Sequence, residues 1–444
     1  MPAASPCTAA ESAPGVAWGG LRRGFWRWTR TFAGTSVLRL CRCVLLLLGL
    51  LSFWSGTGLA QTNAPRFAAP VASPDPLALP DLLRQPDGSR ISGPVSWYRQ
   101  RPQLLDLLQT HIYGRMPPPV PFSAVLRQEI ADLPLPGARY QEWALTLLLP
   151  GEGRRTLLLA LFLPAAAADG PVPLWLGINK CGNTTLLPDP RLTRQPRQHV
   201  HPGCVADEPV RGSWQAHWPV AAVLARGQAL ASFAVDDLEP DQPDAADGLR
   251  AQWPQAADPA APWGALAVWA WGLQRALDFL VTLPEIDPQR LALTGWSRFA
   301  KAALLAAASD SRVSLVVPHQ SGTGGSTPAR LRPQERIASI THHFPHWFTP
   351  AYAGFAAAPE RLPLDQHGLL ALLAPRPLLD SVGRRDTWAS PELAARAVAA
   401  AQPVYALFPD GPGRLQQRQA DKDHDLDLGD WMAMLDFAQT QWQR

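Results

Sequence analysis

The stretch Arg290-Leu-Ala-Leu-Thr-Gly-Trp-Ser-Arg-Phe-Ala-Lys301 decides how the rest of the chain is read. Leu291 to Thr294 form a short apolar run that predicts a buried strand. Arg298 to Ala308 are strong helix formers, which predict a helix directly after it. A serine set between strand and helix by Gly-x-Ser is the arrangement of a nucleophile elbow. The tight turn lifts the Ser297 hydroxyl off the carboxyl edge of a sheet and points the next backbone N–H at a developing oxyanion. Phe299 stands where the usual Gly-x-Ser-x-Gly pattern has its last glycine. The tripeptide alone also fits a serine capping an ordinary buried helix, so the reading depends on its surroundings.

Outward from this stretch, 444 residues are ample for one large α/β domain or two smaller ones. With 47% hydrophobic and 17% charged residues the chain is globular, and 47 prolines imply many structured loops. The first sixty residues differ in kind. Arg22, Arg23, Arg27, Arg30, Arg39 and Arg42 precede the apolar run from Val44 to Trp54, and Gly58-Leu59-Ala60 supplies small residues before Gln61. This is the pattern of a secretory signal peptide over 1–60. The apolar run of about 11 residues is shorter than the ~20 a spanning helix needs, so no stable membrane insertion is expected after cleavage. A periplasmic or secreted protein is therefore expected.

Taking away residues 1–60 removes six arginines and one glutamate, and the formal net charge passes from +3 to −2. The basic character belongs to the export signal, and no nucleic-acid partner is expected. Cys181 and Cys204 are the cysteines that remain. In an exported chain they either pair or stay as two separate buried thiols.

The chain from 61 to 444 is expected to be a single catalytic domain. Residues 61–100 read as an extended Pro- and Ala-rich segment, and 103–114 as a helix closed by Gly114. Apolar runs at 143–149, 156–163, 173–178, 229–235, 313–318, 377–382 and 403–408 read as strands. Helices are expected at 219–226, 263–283 and 428–443, with the tryptophans of the second in the core. Strands alternating with helices to the end predict a mostly parallel sheet covered on both faces, a three-layer α/β sandwich.

An elbow serine needs a base, and the base needs an acceptor to orient it. In α/β-hydrolases these follow the serine in the order acid, then histidine. Asp386 stands just past the strand at 377–382, and His424 past the last strand, ahead of the closing helix. Ser297, Asp386 and His424 thus share one sheet edge in the required order. His342, His343 and His346 lack a carboxylate in ligand-like spacing, so neither metal nor other cofactor is expected. His367 reads as a structural hydrogen-bonder.

Gly295-Trp-Ser-Arg-Phe-Ala-Lys301 resembles the Gly-x-Ser-Arg-x-Gly-Lys signature of glucuronoyl methylesterases, family 15 of the carbohydrate esterases. Leu176–Asn183, Ala265–Leu280, Ser321–Gly325, Phe344–Phe348, Asp365–His367 and Ala374–Pro377 resemble that family too. The resemblance implies an α/β-hydrolase fold and cleavage of the ester joining a glucuronic acid on xylan to a lignin alcohol. It implies Ser297 as nucleophile, His424 as base, Arg298 beside the oxyanion, and Lys301 and Trp388 against the uronate. The expected partner is a glucuronoxylan or lignin–carbohydrate ester, met by a monomer.

The sequence departs from the family pattern at three places. Ala300 replaces the signature glycine. Gln320 occupies the position where many members carry the acid as a Glu, leaving that role to Asp386. Phe344 stands where a sugar-binding Glu commonly precedes the aromatic pair, and Glu335 either supplies a substrate-binding carboxylate in its place or braces the fold. These departures keep two other readings open: an acetyl-type xylan esterase, and a non-catalytic carbohydrate binder.

Overall fold

A computed structural model describes residues 78–85, 87–194, 199, 201, 204 and 210–444. The reading of 1–60 as an export signal lies outside these residues. At the centre is a nine-stranded sheet in the order β1-β2-β3-β5-β4-β6-β7-β8-β9. Its strands are β1 (Phe122–Ile130), β2 (Arg139–Leu148), β3 (Arg154–Leu163), β4 (Val172–Asn179), β5 (Ala229–Ala234), β6 (Ile286–Trp296), β7 (Leu315–His319), β8 (Leu378–Gly383) and β9 (Leu415–Ala420). From β5 through β4, β6, β7 and β8 to β9 neighbours run parallel, while β1, β2, β3 and β5 pair antiparallel.

The central strands bury both faces, as continuous apolar runs require in a parallel sheet. Every residue of β4, β5, β7 and β8 is buried. On one face lie α1 (Pro94–Leu108), α3 (Ala265–Leu280), α4 (Arg298–Ser309), α5 (Gln366–Ala371) and α6 (Pro391–Tyr405), contributing Leu104, Trp269, Leu304, Leu370 and Val398 to one core. On the other face α2 (Val220–Ala225) and α7 (Leu428–Trp442) supply Val223, Met434 and Leu435 to a second. This is the three-layer α/β-hydrolase arrangement. Among the described residues no helix is long and apolar enough to cross a membrane. Cys181 and Cys204 are joined in a disulfide, with Cα atoms 5.5 Å apart.

The structure corrects three expectations. Residues 403–408 are not a strand: they finish α6 and its following turn. Ala397, Ala401, Val404 and Tyr405 bury one side of that Ala-rich helix, whose propensity outweighs the short β-like run. The last strand is instead β9, Leu-Gln-Gln-Arg-Gln-Ala, an edge strand whose polar residues are only partly covered. Within 61–100 the segment is not extended throughout, because α1 begins at Pro94, a residue suited to the first helical turn. β1, at the opposite edge, has no counterpart in the expected strands.

Candidate active site

Strand β6 and helix α4 meet at Ser297, whose φ of 58° and ψ of −120° place it in a conformation that non-glycine residues rarely adopt. Its backbone N–H donates to His319 O on β7 at 2.9 Å, which fixes the turn against the neighbouring strand. Gly295 makes the close approach possible. A Cβ there would stand 2.5 Å from the carbonyl carbon of Phe299 in the first turn of α4. Ala300 is fully buried, so strand and helix accommodate its methyl group where the family signature has glycine.

Asp386 and His424 arrive from the turns after β8 and β9. Asp386 Oδ2 is 2.7 Å from His424 Nδ1. Its Oδ1 accepts from the backbone N–H groups of Trp388 and Ala389, each at 3.0 Å. The carboxylate is 1% exposed and accepts only, so Nδ1 carries the proton and Nε2 presents a lone pair. The His424 ring lies between Trp296 and Trp388, at centroid distances of 5.4 and 5.1 Å.

Gln320, in a left-handed conformation with φ 52°, does not face His424 as an acid. Its Nε2 donates to Asp423 O at 2.7 Å and its Oε1 accepts from Trp296 Nε1 at 3.0 Å. His319 Nε2 lies 2.9 Å from Asp425 O, on the other side of His424. Two residues at the end of β7 therefore clamp the backbone on both flanks of the histidine.

Arg298 is held by Asp241, whose Oδ2 accepts from Nη1. The guanidinium also stacks on Trp347 and Phe344, 4.6 and 5.1 Å from their centroids. Asp241 Oδ1 accepts from Trp347 Nε1 at 2.7 Å and lies 3.0 Å from His346 Nε2. Burial works against the Asp241 charge, but His346, the Arg298 cation and the indole N–H together hold it well below the usual carboxylate range. His346 thus belongs to this network.

Two clefts open on either side of Ser297, and Ser297, Arg298, Trp388 and His424 line both. One, of about 240 Å³, is walled by Trp214, His217, Trp218 and Trp296 and carries Lys180. The other, of about 340 Å³, sets Lys301, Gln320 and Glu335 among Phe344, Trp347 and Trp388. Trp388 stands between them, 57% exposed. Lys301 is buried, its ammonium donating to Ser321 O and Thr323 O at 2.5 and 2.7 Å, with Glu335 3.7 Å away. Burial pulls the Lys301 ammonium down and the Glu335 carboxylate opposes it. Lys301 and Glu335 therefore brace one another and the Ser321–Thr323 turn at the cleft floor. His367 lies away from both clefts, its Nε2 2.9 Å from Pro80 O.

Asp241, Lys180 and the wall of Trp214 and His217 were not candidates from the sequence. Asp241 and the wall lie in loops without periodicity. Lys180 was visible only within the family-like stretch Leu176–Asn183. The assembled geometry suits acyl transfer: a half-buried elbow serine lining both clefts, an oriented imidazole, and a fixed cation at the first turn of α4.

A family model described as glucuronyl esterase, fungi, matches residues 219–408. A glucuronoyl esterase from Solibacter usitatus superposes with a TM-score of 0.73 at 30% identity, covering 84% of this chain and 99% of its own. Carbohydrate esterase MZ0003, from an unknown prokaryotic organism, is 28% identical over 423 residues, 89% of this chain and 97% of that protein. The 4-O-methyl-glucuronoyl methylesterase 1 of Wolfiporia cocos is 36% identical over 165 residues, 34% of this chain and 40% of that protein.

Proposed function

The chain belongs to the glucuronoyl esterase family, carbohydrate esterase family 15, and from that premise we propose that it is an exported serine esterase acting on glucuronate esters that link xylan to lignin alcohols. In this reading the Ser297 hydroxyl attacks the ester carbonyl while His424 Nε2 takes its proton. Asp386 steadies the imidazolium. The tetrahedral oxyanion faces the Arg298 guanidinium and the first N–H groups of α4. Collapse expels the alcohol, which receives the proton from His424, and leaves glucuronate esterified to Ser297. Water, deprotonated by His424, then releases the acid and restores the serine.

The observation that carries the reading is the pair of buried Asp386 and half-buried His424, which lines, with Ser297, two clefts of different lining. An ester has two dissimilar halves, and the cleft that holds Lys301, Gln320 and Glu335 suits a uronic acid while the one walled by Trp214, Trp218 and Trp296 suits an aromatic alcohol. The disulfide supports an oxidising compartment, as expected for a periplasmic or secreted enzyme. The test compares hydrolysis of the benzyl ester of glucuronic acid with that of benzyl acetate. Faster cleavage of the glucuronate ester is expected. Preference for acetate would keep the nucleophile and replace the uronate reading by an acetyl-type one, and inertness toward both would leave a carbohydrate binder.

A further inference from the structure

Three lysine or arginine side chains line the two clefts, and two of them are satisfied. Arg298 is paired with Asp241, and Lys301 donates to two carbonyls beside Glu335. Lys180 is different. Its ammonium sits 5.1 Å from the centroid of the Trp214 ring, and among the described residues it meets no carboxylate or hydrogen-bond acceptor. The cation–π contact offsets part of its lost hydration and supplies no counter-ion. Burial brings the ammonium down to about 8, with the Arg298 cation acting in the same direction and Asp241 against it.

The lysine is also held in place. It directly follows β4 and opens a turn in which Asn179 Oδ1 accepts from Gly182 N at 2.8 Å. Asn179 Nδ2 donates to Asn183 Oδ1 and Ser232 Oγ, at 2.7 and 3.1 Å. Its neighbour Cys181 is tied by the disulfide to Cys204. A cation fixed by its backbone, half-buried and without a partner, is a preorganised receptor for an anion. Its setting says what else that anion carries. The Trp214 ring packs 4.4 Å from His217, and His217 stacks 5.1 Å from Trp296, beside Ser297. These faces suit another aromatic ring.

A uronic acid bound as its ester has no charge to offer Lys180, because the carboxyl is the ester itself. We propose that Lys180 and the tryptophan wall form a subsite for the alcohol half of the ester, selecting aryl alcohols that carry an anionic group, such as an aryl carboxylate. The inference rests on the ester-hydrolase reading and concerns its leaving-group side.

The test has a kinetic and a binding arm. Benzyl and 4-carboxybenzyl esters of glucuronic acid are compared as a ratio of kcat/KM in the wild type and in Lys180→Met. The 4-carboxybenzyl ester is expected to be favoured about tenfold, the worth of one partly shielded ion pair, with the ratio falling to one or below in the variant. Separately, 4-(hydroxymethyl)benzoate, benzyl alcohol and free glucuronate are titrated calorimetrically into the Ser297→Ala protein. The aryl carboxylate is expected to bind about tenfold tighter than benzyl alcohol, with the advantage lost on adding Lys180→Met and fading above about pH 8. Arg298, Asp241 and His217 are the charged or titratable groups coupled to Lys180, so the pH arm is read against the Lys180→Met control. A ratio unchanged by Lys180→Met, or a Lys180-dependent gain for glucuronate alone, overturns the proposal. Failure to cleave any glucuronate ester, with the binding advantage intact, overturns the substrate reading and leaves the anionic subsite standing.

Discussion

Asp386 Oδ2 lies 2.7 Å from His424 Nδ1, while the other carboxylate oxygen is held by two backbone N–H groups. The two residues come from different turns, 38 positions apart, and meet only because β8 and β9 are parallel neighbours. The pairing sets the imidazole tautomer, and with it the nitrogen available as base.

Replacing Asp386 by Asn leaves shape but allows the wrong tautomer. The expected loss in kcat is about 10²–10⁴-fold with KM little changed, read by steady-state kinetics on a glucuronate ester. Gln320 offers no substitute, since its amide is engaged with Asp423 O and Trp296.

Gln320→Leu tests the clamp beside the histidine. It leaves Asp423 O and Trp296 Nε1 without their partner, so stability should fall by about 1–3 kcal/mol in chemical denaturation. Because the freed backbone carries His424, kcat should fall as well, by about tenfold. A stability loss without any change in kcat would make Gln320 a purely structural residue.

Asp241→Asn addresses the cation. Asp241 is the carboxylate that holds Arg298, and its side chain is 2% exposed. A neutral amide in its place loosens the guanidinium near the oxyanion, with an expected fall in kcat of about 10²-fold. The measurement is kcat on an activated ester, where binding of the sugar contributes little.

The pH dependence of stability carries a separate prediction. Asp380 on β8 is fully buried and accepts from Gln417 Nε2 at 2.9 Å. Burial pushes its carboxyl up to about 6. The folded state therefore keeps this proton to higher pH than the unfolded chain, in which an aspartate loses it near 3.9. Stability from this group declines as pH rises from about 4 through about 6 and is level above. Asp380→Asn should remove that decline, so wild type and variant diverge in thermal melts at pH 7 more than at pH 4.

How far the sequence could be read follows from how local each signal was. The elbow was legible because Ser297, Gly295 and the Ala-rich helix are contiguous. The turn bearing Asp386 was legible because it follows β8 by a few residues. His424 was placed by chain order and by the closing helix after it, since the strand expected at 403–408 ends well short of it. β9 was not, because Leu-Gln-Gln-Arg-Gln-Ala is an edge strand with no apolar pattern, whereas Val404 to Phe408 had the pattern of a strand and the fate of a helix end. Asp241 was out of reach for another reason. Its partners Arg298 and His346 are 57 and 105 residues away, and nothing in an acidic loop marks the aspartate that turns inward. Lys180 is the same case reversed, since what distinguishes it is the lack of a partner, a property of the fold.

The central claim is that Ser297 performs the chemistry on a uronate ester. Its most direct test is the rate at which purified protein hydrolyses the benzyl ester of glucuronic acid, with and without Ser297→Ala, alongside far-UV circular dichroism to show both are folded. The account predicts measurable turnover by the wild type and a drop of about 10³-fold or more in the variant. A folded variant that keeps its rate would contradict it.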